Sequence, residues 1–163
     1  MLQTPPHTRR LFLALELSED FKTALLASPV PIRNSRMTSP DKLHLTLRFL
    51  GNIPDGEEEK IISFCRQIPL QEPLPLLPAG FGGFPTLKRA SSFHLKLKLV
   101  PPLLKLKKLL DEKLELTLKM PREKSYSPHI TLCRMRRSPS ESDLKAVESW
   151  SASQKPPESR AVA

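Results

Sequence analysis

The tetrad His44-Leu45-Thr46-Leu47 recurs 85 positions later as His129-Ile130-Thr131-Leu132. In an extended strand residues i and i+2 share a face, so each tetrad can present an imidazole and a hydroxyl together while its aliphatic residues turn to a core. Two such strands side by side make a pocket of paired imidazoles and paired hydroxyls. An unperturbed His titrates near pH ~6.5, so one ring can give a proton while its partner takes one. The hydroxyls two residues on suit an anionic oxygen. A single His in an apolar strand is usually a hydrogen-bonded structural residue; the repetition argues for chemistry.

The elements that must position the tetrads read as strands and helices in alternation. Residues 10–15 form a buried strand, and Ser18 with Glu19 and Asp20 starts a helix reaching about Ala27. Pro29, Pro31 and Pro40 make a loop before a strand at 42–50, which carries the first tetrad and stops at Gly51-Asn52. An amphipathic helix follows at 55–68, then an extended edge segment at 72–77 and a turn-rich passage at 79–85. The glycines of that passage are not a phosphate loop, because no Lys-Ser/Thr at a strand-to-helix junction follows them. Residues 92–99 alternate as a strand with Phe93, Leu95, Leu97 and Leu99 inward and His94, Lys96 and Lys98 outward. A basic helix at 103–118 either covers a sheet or meets a membrane or phosphate backbone. The second tetrad lies on a strand at 126–135, entered through Pro128. A capped helix spans 140–150, and residues 151–163 have the composition of a disordered tail.

With 163 residues the chain has room for one domain, or two small lobes sharing a core. Lys and Arg number 26 against 17 Asp and Glu, a net charge of +9. That excess fits nucleic acid first, then a membrane surface, or simply a solvated basic face. No apolar run approaches the ~20 residues of a membrane span, and the first ten residues lack a secretory core, so a cytoplasmic protein is expected. Cys65 and Cys133 read as reduced thiols; Cys133 shares the parity of His129 and Thr131, which gives it a small claim on the site. His7 and His94 add no recognised ligand spacing, so neither a metal nor a cofactor is expected.

Four ordered stretches, "RLFLALELSEDFK", "DKLHLTLRFLGNI", "GFGGFPTLKR" and "SPHITLCR", resemble the two-histidine phosphoesterase superfamily over residues 9–137, and within it the bacterial RNA 2′,3′-cyclic phosphodiesterase (2′-5′ RNA ligase-like) branch. The resemblance implies an α+β fold in two lobes with pseudo-twofold symmetry, antiparallel sheets lining a central cleft and helices outside. It is expected as one domain over residues 1–150. It also implies metal-independent hydrolysis of RNA 2′,3′-cyclic phosphate ends, tRNA fragments among them, or of cyclic nucleotides, to 2′-phosphomonoesters. His44 would be the acid and His129 the base, with Thr46 and Thr131 on the phosphate oxygens. The spacing itself is symmetric and leaves acid and base interchangeable.

Among further substrate contacts, Arg48 shares the face of His44 and Thr46. Arg134 has the opposite parity to His129, but a strand end or bulge could redirect it. Phe49 is a base-stacking residue by resemblance and a core aromatic by composition. The chain departs from the family pattern in two places. His94-Leu95-Lys96 stands where relatives often carry a Trp-containing strand, and against the family pattern the C-terminal lobe is expected to be incomplete. A lobe lacking strands would leave a sheet edge exposed. Two further functions therefore stay open: a non-catalytic module binding RNA ends or nucleotides, and 2′-5′ ligation by the reverse reaction. Oligomeric state is not legible.

Overall fold

The computed structural model describes residues 7–69, 74–156 and 159–162. Its elements in chain order are β1 (Thr8–Leu17), α1 (Glu19–Leu26), β2 (Ser35–Met37), β3 (His44–Pro54), α2 (Glu57–Arg66), β4 (Leu74–Leu76), β5 (Pro78–Phe84), β6 (Ser92–Leu97), α3 (Pro101–Leu118), β7 (His129–Met135), α4 (Glu141–Ser153) and β8 (Ser159–Val162). The strands form one antiparallel sheet in the order β4-β8-β1-β3-β7-β6-β5, with β2 also paired to β7. Four strands lie on each side of the β3–β7 junction, and that junction rests on the pair Leu45↔Ile130. The α+β class with antiparallel strands and external helices is what the sequence predicts.

Each half carries two helices. Helices α2 and α3 touch one another, with α2 against β3 and α3 against β4. On the other half Trp150 of α4 packs on Phe81 and Phe93, ring centroids 4.8 and 6.0 Å away, and its indole N–H donates to Ser28 after α1. Local sequence sets the helix starts. The Ser18 hydroxyl accepts from the Phe21 N–H, and Ser140 and Asp143 form a reciprocal capping box. Pro101 and Pro102 occupy the first turn of α3, where a missing N–H costs nothing. Leu45, Ile130, Phe93 and Leu95 are fully buried, so the core runs directly beneath both tetrads.

Several boundaries differ from the sequence expectation. A short 3-10 turn takes Pro40–Lys42, β3 begins at His44, and it continues through Gly51-Asn52 rather than stopping there. The strand β2 inside the proline loop had no periodicity to announce it, being three residues long. The passage expected as turns at 79–85 lies largely in the strand β5: Gly82 and Gly83 are there because neighbours crowd them, and Gly80 because its backbone has φ +94°. A Cβ on Gly83 would meet the Ala90 Cβ at 2.7 Å and the Leu87 Cα at 3.2 Å. The edge segment expected at 72–77 is strand only at Leu74–Leu76, residues 72 and 73 lying outside the described ones.

The expected tail is ordered in part: α4 runs to Ser153, and Ser159–Val162 enters the sheet between β4 and β1. Residues 157, 158 and 163 lie outside the described ones. The last strand therefore joins the β1–β3 half, which carries the first tetrad, and gives that half four strands. Among the described residues no helix is long and apolar enough to cross a membrane.

Because the Ala90 and Leu87 atoms near Gly83 include backbone, Gly83→Ala forces β5 to shift. A loss of about 1–3 kcal/mol is expected, read as a lower midpoint in thermal unfolding; an unchanged midpoint contradicts the close packing of β5 on this turn.

Candidate functional site

The antiparallel register Leu45↔Ile130, continued by one residue each way, sets His44 abreast of Thr131 and Thr46 abreast of His129. The two tetrads are thus brought to adjacent strands, with their apolar residues below and their polar residues on one open face. His44 and Thr46, like His129 and Thr131, are half-buried.

Each ring is held the same way. His44 Nδ1 lies 2.8 Å from the Lys42 carbonyl oxygen and His129 Nδ1 2.8 Å from that of Ser127. A carbonyl only accepts, so Nδ1 carries the proton in both neutral rings and Nε2 is left with its lone pair. His44 Nε2 accepts from the Thr46 hydroxyl at 3.1 Å. Burial pushes the His44 pKa below its ordinary value, and the nearby charges of His129 and Arg134 add to this, against the Lys42 carbonyl, which favours the protonated ring. An anion placed between the rings would act in the opposite direction, drawing protons onto them.

Beyond the threonines both strands bulge at the same position of the tetrad. On β3, Thr46 pairs with Ala14 but Arg48 with Leu13, leaving Leu47 as the extra residue. On β7, Thr131 pairs with His94 but Cys133 with Phe93, leaving Leu132 extra. A bulge of one residue reverses the parity that follows. This overturns the expectation for Arg48, which turns into the core, 6% exposed, while Phe49 comes out at 60% exposed. The same reversal buries Cys133 completely, removing it from the site, and brings Arg134 to the surface on the Thr131 face. The reading of Phe49 as a core aromatic is likewise incorrect: it pairs with Phe12, 6.2 Å between centroids, and Phe12 in turn stacks on His44 at 4.9 Å.

Arg48 instead supports the strand from behind. Its guanidinium donates to the Pro121 carbonyl and lies 3.6 Å from Asp111 and 3.4 Å from Glu123. Lys107 bridges the same two carboxylates at 2.6 and 3.0 Å. These two cations and two anions form a neutral buried group tying β3 to α3 and to the loop that leads to Ser127. Tyr126 in that loop donates its hydroxyl to the Thr46 carbonyl at 3.0 Å. One segment therefore contacts the first tetrad and supplies the carbonyl that orients the ring of the second.

Three site residues escaped the sequence reading. Phe12, placed in a buried strand, is 47% exposed beside His44; the alternation of Arg10, Phe12 and Ala14 with Leu11, Leu13 and Leu15 carried that signal. His94, expected outward, is only 3% exposed, because it shares the Thr131 face and that face is a cleft wall rather than solvent. Its ring stacks on Phe84 at 4.4 Å and lies 5.0 Å from His129, while Phe84 meets His129 edge-on at 4.8 Å. Gly82 makes room for it, since a Cβ there would come within 2.9 Å of His94 Nε2. Among the described residues no group of three or more His, Cys, Asp and Glu is arranged to hold a metal.

Burial first, then the charges of His129 and Lys96, push His94 down to about 4, and its buried Nδ1 has no hydrogen-bond partner. Between its ordinary value near 6.5 and about 4, the unfolded chain takes up a proton that the folded chain refuses. Stability contributed by neutral His94 is thus intact above pH ~6.5 and falls as the pH drops through that window, by about 3 kcal/mol at its lower end. Denaturant unfolding at pH 7 and pH 4.5 should show a smaller acid loss in His94→Phe than in the parent; equal losses would contradict the burial of a neutral ring.

The model of the family described as LigT like Phosphoesterase matches residues 18–94, a span that contains the first tetrad. No curated protein gives a significant match. Among solved structures, TT0787 of Thermus thermophilus is similar at 26% identity and TM-score 0.68, covering 93% of this chain and 80% of that one. E. coli LigT complexed with ATP aligns at 23% identity and TM-score 0.64, and complexed with 3′-AMP at 21% and 0.66, each covering 95% of this chain and 84% of that one. At those identities the E. coli likeness is one of fold. The family match takes in the first tetrad and the shared fold takes in both, so the chain is similar to the LigT-like phosphoesterases of the two-histidine phosphoesterase superfamily.

Proposed function

We propose that this chain opens RNA 2′,3′-cyclic phosphate ends to 2′-phosphomonoesters, with His44 as general acid and His129 as general base. The observation that carries the reading is the matched tautomer of the two rings, each with Nδ1–H tied to a backbone carbonyl and Nε2 left for proton transfer. His129 Nε2 takes a proton from water as the water oxygen attacks phosphorus. Protonated His44 gives its Nε2 proton to the ribose 3′ oxygen as the P–O3′ bond breaks. The base ends protonated and the acid neutral, and one proton exchange with solvent restores both. Thr46 and Thr131 donate to the non-bridging oxygens, where charge builds in the transition state.

The exposed Phe49 offers a stacking surface for the terminal base, and Arg134 a cation for phosphate or base. That E. coli LigT is described with ATP, 3′-AMP and NADP+ supports a nucleotide in the corresponding cleft. Ligation to a 2′-5′ bond would use the same proton transfers in the same direction, with a ribose 5′-hydroxyl attacking phosphorus in place of water as the P–O3′ bond breaks. A binding module without turnover would keep the phosphate contacts and lose the alignment of one ring; a ~1 Å error there costs ~10²-fold.

A 2′,3′-cyclic-phosphate oligonucleotide incubated with the protein in excess chelator separates these readings. His44→Ala and His129→Ala should each lower turnover by at least ~10²-fold, and Thr46→Val or Thr131→Val by about 10²-fold. Tight binding with no turnover by the parent would leave the module. The pH profile gives a second check. The acid must be protonated and His44 is biased toward neutrality in the free protein, so the alkaline limb of kcat/KM should lie at lower pH than that of kcat, where bound phosphate holds the proton. Coincident limbs would count against His44 as the acid.

A further inference from the structure

Arginines 36 and 134 stand directly opposite each other on adjacent strands, since β2 and β7 pair Arg36↔Arg134. Both are exposed. Like charges in that position repel at short range and destabilise the pair, the reverse of the opposite-charge pairs that sheets usually place there. Among the described residues neither guanidinium lies within ion-pair distance of a carboxylate, whereas Arg9, Arg48 and Arg122 all do. Two unneutralised cations held side by side make a place for an anion, and their orientation says which anion. Arg134 pairs with Ser92 on its other side while Thr131 pairs with His94, and Ser92 and His94 share a face of β6. The arginine pair therefore lies on the face of the tetrads, two rungs beyond Thr131, a distance of about 7 Å along the strand. Arg134 is close enough to His44 for its charge to be felt there. The strand β2, three residues long with Arg36 at its centre, occupies the flank of β7 beyond the β3 junction.

Building on the function proposed above, we propose that Arg36 and Arg134 hold the backbone phosphate that precedes the terminal nucleotide, so that the cleft takes the end of an RNA chain in preference to a free nucleotide. The terminal phosphate occupies the histidines and threonines, and the next one along the chain falls to the arginine pair. A guanidinium pair fits a phosphodiester because each presents several N–H donors in a plane. Arg36 contributes only to substrates that have a second phosphate, which makes it a specificity residue rather than a catalytic one.

The test is a binding titration with a six-nucleotide RNA ending in a 2′-phosphate and with the matching nucleoside 2′-monophosphate, on the full chain, Arg36→Gln and Lys108→Gln. Lys108 is an exposed basic residue of α3 and controls for loss of one charge elsewhere. The parent should bind the oligonucleotide more tightly than the nucleotide. Arg36→Gln should weaken the oligonucleotide by about 5–10-fold and flatten its logarithmic salt dependence by about 0.7, with less than a twofold change for the nucleotide. Lys108→Gln should leave both unchanged. An oligonucleotide bound no better than the nucleotide, an equal loss for both in Arg36→Gln, or an equal effect of Lys108→Gln overturns the proposal. These readouts need no turnover, so a parent that binds in this pattern but does not hydrolyse cyclic phosphate would sink the proposed reaction and leave the subsite standing.

Discussion

The arrangement depends on one strand junction. Leu45 and Ile130, both without solvent exposure, pair across β3 and β7 and join the two four-stranded halves of the sheet. A slip of one residue at this point would exchange the faces of every side chain in one tetrad, burying an imidazole and exposing two aliphatic residues. The core beneath forbids it, because Leu45, Leu47, Ile130 and Leu132 all belong to one apolar cluster. The same burial that fixes the register therefore fixes the rings. Their Nδ1 bonds to Lys42 and Ser127 come from the residues two places before each His, so the orientation is a local property of each strand's entry and is repeated when the tetrad is repeated.

Symmetry ends just past the threonines, and the bulges decide how. Both strands admit an extra leucine at the last position of the tetrad, Leu47 and Leu132, and both then present the third residue after Thr to the open face. On one strand that residue is Phe49, on the other Arg134. One arm of the cleft thus offers an aromatic surface, extended by Phe12, and the other offers charge, extended by Arg36. A nucleotide has a flat base and an anionic backbone, and a cleft with unlike arms can distinguish its two ends. The residues turned inward by the bulges also differ. Cys133 fills a core position, while Arg48 requires the carboxylates of Asp111 and Glu123 and the Pro121 carbonyl. Leaving a buried guanidinium unpaired would cost several kcal/mol, so the loop before the second tetrad is bound to the strand carrying the first.

Much of this was legible in the residues. The strand-helix alternation, the capped starts of α1 and α4, and the tetrads themselves follow from periodicity and from residues with one good local role, such as Ser18 and Ser140. What was not legible depends on register. Parity assigned Arg48 to the cleft and Arg134 away from it, and a bulge inverted both; a bulge is a property of two strands together, and one strand's alternation does not record it. His94 was misplaced for a related reason, since a polar residue on an alternating strand reads as solvent-facing whether its face meets water or the other wall of a cleft. The glycines of β5 read as a turn because their composition is the same as a turn's. For Gly82 and Gly83 the cause is the proximity of His94 and Lys96 across the strand pair and of Leu87 and Ala90 in the turn that follows, which composition does not record. The last strand was lost in a polar tail because its place in the sheet is set by β4 and β1 on either side of it.

The account rests on two imidazoles sharing one anion. The most direct measurement is a titration of the protein with a nucleoside 2′-monophosphate, followed by the ring proton resonances of His44 and His129 in NMR across pH. A single equivalent should move both rings together, with one dissociation constant. Two different dissociation constants, or a response confined to one ring, would mean that the tetrads do not form a common phosphate site.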